Sequence, residues 1–179
     1  WLRPSVYELN YAIAKAYMQD RQYEKALEIS KGLLDKAPQN VSVLELCAES
    51  SYALEDLDAA ESYIVRVLLL EPENLRYVLF RAGILITKGD YIRASSLLDM
   101  YAKTDTSSKE YLLLRARMQR DWNKNNAASG ETIGMALTLY PDDKEILLFA
   151  AEVSSSANIL VGGYSALEIA EKILSIDSS

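Results

Sequence analysis

Glu45 and Glu49 stand four residues apart, the spacing that places two carboxyl groups on one face of a helix. General acid–base work needs two such groups to face each other across a substrate, and nothing in the nearby sequence opposes this pair. Cys47 lies between them and could act as a nucleophile only as its thiolate. The 179-residue chain has no histidine, which removes the Ser-His-Asp and Cys-His arrangements. Cys47 also falls on a core position, so it reads as a small buried hydrophobe. A single cysteine makes no internal disulfide and no metal cluster. Gly162-Gly163 reads as a turn without the flanks of a phosphate loop or dinucleotide fingerprint, and calcium-loop spacing is absent. The chain is therefore expected not to be an enzyme and to carry no cofactor or metal.

The elements that hold these residues follow from composition. Half of the chain is apolar and a quarter is charged, with only seven glycines and four prolines to interrupt helices. Ala, Leu, Glu and Lys lose least on entering a helix, so the class is all-α. A net charge of −7 argues against nucleic acid, whose phosphates need a basic face, and against an anionic membrane surface. The longest apolar run, Tyr63–Leu70, is broken by Arg66 and far too short for direct membrane insertion. Freedom from disulfides favours the cytoplasm and leaves the periplasm open.

Self-similarity is visible in single residues. Ala14, Ala48, Ala82 and Ala116 are each 34 residues apart, as are Ala26, Ala60, Ala94 and Ala128, and Pro4, Pro38 and Pro72 share the step. Later the phase slips: Ala151 lies 35 after Ala116, Pro141 lies 69 after Pro72, and Ala166 lies 38 after Ala128. One residue is therefore expected to be inserted between Ala128 and Pro141, and about three between Ala151 and Ala166. Each unit reads as two helices. Tyr7, Asn10, Ile13, Ala14 and Tyr17 share one helical stripe, and Tyr23, Ala26, Leu27, Ser30, Leu33 and Leu34 share the next. Ala37-Pro38 ends the second helix, because proline disfavours helical geometry at the residue before it. Ala14 and Ala26 fall where the two helices should cross, and Tyr23, Leu57 and Tyr91 should wedge the start of each second helix.

These residues resemble the tetratricopeptide-repeat family. Its small first-helix residue matches Ala14, Ala48, Ala82, Ala116 and Ala151; its second-helix alanine matches Ala26, Ala60, Ala94, Ala128 and Ala166. Its terminal proline matches Pro38, Pro72 and Pro141, its first-helix tyrosine matches Tyr17, and Lys88-Gly89-Asp90-Tyr91 is close to its turn. Departures are the missing tryptophan (Asn10, Leu44, Val78, Leu112 and Leu147 instead), Thr106 for a proline and Asn125 for a turn aromatic. The resemblance covers about residues 5–178. It implies a right-handed α-solenoid in a single domain, with repeats at about 5–40, 41–74, 75–108, 109–143 and 144–178. Residues 1–4 are expected to be the tail of a preceding repeat, so the chain reads as a segment of a longer array.

In such arrays first helices line a concave groove. The resemblance implies that a protein or peptide partner would meet Tyr11, Lys15, Met18, Glu45, Glu49, Tyr52, Arg76, Leu79, Ile86, Leu113, Arg117 and Arg120. Glu45 and Glu49 make the second repeat acidic, while Arg115, Arg117 and Arg120 make the fourth basic, a polarity that would orient a partner. One branch of the family clamps chaperone-tail carboxylates. Tyr11, Lys15, Leu46, Arg76 and Phe80 stand at its five clamp positions and retain only two positive charges, so that clamp is not expected here. The leading expectation is an interaction scaffold. The alternatives are a structural spacer or self-association module, and a recruiting arm of a larger enzyme or secretion complex.

Two irregular segments stand out. Asn123–Asn126 replaces a tight turn with a polar stretch, and Gly130 and Gly134 weaken the helix after it, as a flexible joint or as a drifted repeat. Ile159, Leu160 and Val161 precede Gly162-Gly163; they are expected to extend a helix and pack on the next repeat, the alternative being an exposed docking knob.

Overall fold

The computed structural model describes residues 5–177, so the expected tail at 1–4 and the last two residues lie outside the described residues. Ten helices account for most of that span, and the chain divides into two compact units between Gly89 and Asp90. The first contains α1 (Val6–Gln19), α2 (Tyr23–Leu34), α3 (Val41–Ala53), α4 (Leu57–Leu70) and α5 (Leu75–Lys88). There α1 packs on α2 and α3, and α2, α3 and α4 each pack on the helix that follows. The second contains α6 (Tyr91–Tyr101), α7 (Lys109–Asp121), α8 (Asn126–Leu139), α9 (Lys144–Ala157) and α10 (Ala166–Asp177), again packed in sequence order.

Helix starts are set by side chains that accept from otherwise unpaired N–H groups. Ser5 and Glu8 form a reciprocal capping box on α1, Asn40 caps α3, Asp56 caps α4 and Asp90 caps α6. In the second unit Ser108, Asn125 and Asp143 do the same for α7, α8 and α9. Helices α2, α4 and α8 stop before Pro38, Pro72 and Pro141. Where Thr106 replaces a proline, the loop is held instead by Tyr101, whose hydroxyl donates to Ser108 Oγ at 2.9 Å.

Burial fixes the repeat register and corrects the expectation at three points. Ala14, Ala48, Ala82, Ala116 and Ala150 are all fully buried, an unbroken 34-residue series, whereas Ala151 is partly exposed. The first-helix phase therefore never slips. In α8 the buried small residue is Ser129, one after Ala128, with its hydroxyl donating to the Ala116 carbonyl at 2.9 Å. The turn before each second helix shows why. Arg21, Glu55 and Gly89 carry positive φ at 34-residue steps, and the next such residue is Lys124, 35 further on. The extra residue sits in the α7–α8 turn, and a connection shorter by one before α9 absorbs it: ten residues separate Pro38 from Ala48, nine separate Pro141 from Ala150. In α10 the buried position is Ile169, not Ala166.

Both irregular segments belong to one contact. Helix α9 ends at Asn158 in the left-handed region, and Ser154 Oγ donates to the Ile159 carbonyl at 2.6 Å. Val161 and Tyr164 then exchange two backbone hydrogen bonds across Gly162 and Gly163, whose φ values of 60° and 89° are what a two-residue primed turn requires. This loop folds back on α8 rather than extending α9. Val161 is fully buried, Leu160 is 65% exposed, and Ile159 lies against Gly130. The glycines of α8 are seats for the loop. A Cβ on Gly130 would come 2.8 Å from Ile159 Cδ1, and one on Gly134 would come 3.0 Å from the Gly162 backbone nitrogen.

The two kinds of helical glycine should respond oppositely to alanine. Gly32 in α2 has open space around it, so Gly32→Ala should raise stability by about 0.5–1 kcal/mol. Gly134→Ala presses on backbone, and overpacking of about 1–3 kcal/mol should outweigh the propensity gain. Urea midpoints of the two variants should therefore move in opposite directions; equal shifts would show that the loop is not seated on α8.

Candidate functional site

The residues expected to meet a partner, Arg76 apart, occupy one register in four helices. Tyr11, Lys15 and Met18 on α1 recur 34 residues later as Glu45, Glu49 and Tyr52 on α3, then as Leu79, Gly83 and Ile86 on α5, then as Leu113, Arg117 and Arg120 on α7. Spacing of four and three residues keeps each set on one face.

In the first unit α1, α3 and α5 bring most of these side chains together. Tyr11, Met18, Glu45, Glu49 and Tyr52 are half-buried, and Lys15 and Arg76 are exposed. Ser50 Oγ lies 3.5 Å from Met18 Sδ, tying α3 to α1. The Tyr52 hydroxyl is 3.2 Å from Thr87 Oγ1 and its ring meets Phe80 edge-on at 5.7 Å, tying α3 to α5. The Lys15 ammonium lies 5.9 Å from the centre of the Tyr11 ring. Leu79 and Ile86 are 6% and 7% exposed, and Leu113 of the second unit is 4% exposed. These three are corrected from contact residues to packing residues: an aliphatic side chain at this register is drawn between helices, where tyrosine or glutamate keeps a polar end in water.

Charge is distributed differently in the two units. In the first, Arg76 bonds to one oxygen of Glu45 and the buried Tyr77 hydroxyl donates to the other at 3.1 Å. Arg76 also lies 4.7 Å from the Tyr77 ring centre. Tyr77 is the contribution that pattern alone passed over, and Phe80, named only as a departure from the clamp, joins it. In the second unit Arg120 Nη1 donates to Glu152 at 2.8 Å and Nε to Asp121 at 2.7 Å, with its guanidinium 4.7 Å from the Phe149 ring centre. Arg117 reaches Glu145 at 3.5 Å, and Arg115 reaches Asp99 at 3.4 Å. The three arginines expected to form a basic end are thus each paired within their own unit.

Glu49 stands apart: among the described residues it makes no ion pair. Burial pushes its carboxyl above the ordinary 4.5, the charge of Glu45 and a side-chain hydrogen bond with it push the same way, and Arg76 and Lys15 only partly oppose this. Burial likewise pushes the Cys47 thiol up to about 11, with Lys31 and Arg66 opposing, which keeps it protonated and unreactive at neutral pH. No helix of the described residues is long and apolar enough to cross a membrane.

Two outcomes follow. Glu45→Ala should lower stability by about 1–3 kcal/mol by stranding the Tyr77 hydroxyl, and adding Tyr77→Phe should recover part of that loss in a double-mutant cycle. Because Glu49 binds its proton more tightly in the folded than in the unfolded chain, its contribution to stability is greatest below pH 4.5 and declines as pH rises through the elevated value. Glu49→Gln should flatten that decline in urea midpoints as pH rises from 4.5; an unaltered profile would contradict the assignment.

No family model and no curated protein matches the chain. Solved structures do. A thermophilic TPR protein of Thermus thermophilus superposes with a TM-score of 0.79 at 18% identity over 97% of this chain and 93% of that one. MamA from Desulfovibrio magneticus gives 0.71 at 15% identity over 99% and 98%. YrrB, described as a TPR protein with an unusual peptide-binding site, gives 0.60 at 12% identity over 95% and 86%. At these identities the likeness speaks for architecture, and it agrees with the alanine series and capped helix pairs: the chain has the tetratricopeptide-repeat fold.

Proposed function

We propose that the chain is a protein-interaction scaffold whose first unit holds a partner segment on the face made by α1, α3 and α5. The observation that carries this reading is the set of half-buried aromatic, thioether and carboxyl groups that three helices place side by side there. The aromatic groups offer contact area at low entropic cost, and the carboxyl groups supply polar ends to fix orientation. In the second unit the corresponding arginines are engaged with Glu145, Glu152 and Asp121, which favours the first unit as the docking side. YrrB, of the same architecture, is described as having a peptide-binding site, and that supports a peptide-like ligand here.

The test uses the purified chain to pan a random peptide-display library, followed by amide chemical-shift mapping of the enriched peptides. Shifts should cluster at Tyr11, Lys15, Met18, Glu49 and Tyr52, and Lys15→Glu, at an exposed position, should change peptide affinity without lowering the urea midpoint. Shifts confined to α8–α10 would overturn the reading.

A further inference from the structure

We propose that the α1–α3–α5 face recognises a positively charged side chain, lysine or arginine, of an extended peptide, with Glu49 as its acceptor and Tyr52 and Phe80 as the apolar wall. This deepens the docking reading above and rests on it. The argument begins with how the face distributes its charge. Both oxygens of Glu45 are occupied, one by Arg76 and one by Tyr77. Glu49, one helical turn away, makes no ion pair among the described residues, and its side-chain hydrogen bond is with the like-charged Glu45 carboxyl. The cations whose charge reaches it are Lys15 on α1, which lies over the Tyr11 ring, and Arg76, already committed to Glu45. On the opposite flank α5 presents Gly83 at the matching register and adds no side chain.

Two costs therefore converge at one point. A glycine inside a helix is worse than alanine by about 0.5–1 kcal/mol, and a half-buried carboxylate loses hydration without a bonded counter-ion to replace it. Natural sequences tolerate such costs where a site is used. A cationic side chain removes the second cost directly. The Tyr52 and Phe80 rings, one turn along α3 and across on α5, can cover the aliphatic stem that lysine and arginine carry. A metal ion fits less well, since the second carboxylate is neutralised by Arg76, whose own charge would repel it. Neighbouring helix axes lie about 9 Å apart, so an extended chain crosses one helix about every three residues.

The library experiment tests this too. Enriched peptides should share a lysine or arginine beside an apolar residue. Glu49→Gln should weaken a chosen peptide about tenfold, and replacing the peptide's basic residue with norleucine should do the same. Combining the two changes should add little. Peptides that map to α1, α3 and α5 yet lack a basic residue, or bind Glu49→Gln as tightly, overturn the cation assignment and leave the docking reading intact. Peptides that map elsewhere, no enrichment at all, or sedimentation showing this face buried between two copies of the chain overturns both.

Discussion

The close crossing of helices over alanine is the constraint from which the rest follows. Ala14 and Ala26, and Ala48 and Ala60, are all fully buried, and a larger side chain at any of them would push two backbones apart. The crossing also lays α1, α3 and α5 side by side in the first unit. It is this adjacency that lets Arg76 reach Glu45 and Tyr52 reach Phe80 and Thr87. In the second unit the same step from one first helix to the next brings Lys109 to within 2.7 Å of Asp143 and Arg120 to within 2.8 Å of Glu152. A small residue repeated every 34 positions thus decides which polar groups become neighbours.

What the neighbours do with that proximity differs between the units. Exposed ion pairs contribute little stability, typically about 0–1 kcal/mol each. Their larger effect is on what remains available, since a charge with a partner in its own unit is a poor anchor for anything else. Arg115, Arg117 and Arg120 look like a basic surface when read along the chain, yet Asp99, Glu145, Asp121 and Glu152 answer them. Glu49 carries the same formal charge as Glu45 and sits one turn from it, but its bonded neighbour is that like-charged carboxyl rather than a cation.

Much of the fold was legible because it is periodic. Alanine at fixed spacing, proline at helix ends and capping residues at helix starts are local signals that need no knowledge of distant contacts. The register error near α8 arose because the eye follows identical residues. Ala128 and Ala151 continue the alanine series on paper, whereas Ser129 and Ala150 hold the buried positions, and serine is small enough to do so while satisfying its hydroxyl locally. The site was legible only in part for a related reason. Sequence told which residues share a face, but whether Leu79, Ile86 and Leu113 are covered depends on helices far along the chain. The acceptors of Arg117 and Arg120 on α9 lie about thirty residues away, beyond what i, i+4 arithmetic can reach.

The loop seated on Gly130 and Gly134 has a consequence for how the second unit comes apart. Repeat arrays can unfold one unit at a time, because each contacts only its neighbours. Here α8 has two glycines that weaken it as an isolated helix, and what covers them is a backbone turn belonging to the connection between α9 and α10. Fraying at α10 that loosens this turn uncovers α8 at the same moment, and melting of α8 leaves Val161 and the paired turn without their support. The three helices should therefore exchange their amide protons as one cooperative block rather than as a graded series from the end. Sequence irregularity, which first suggested a joint, here acts as a clasp.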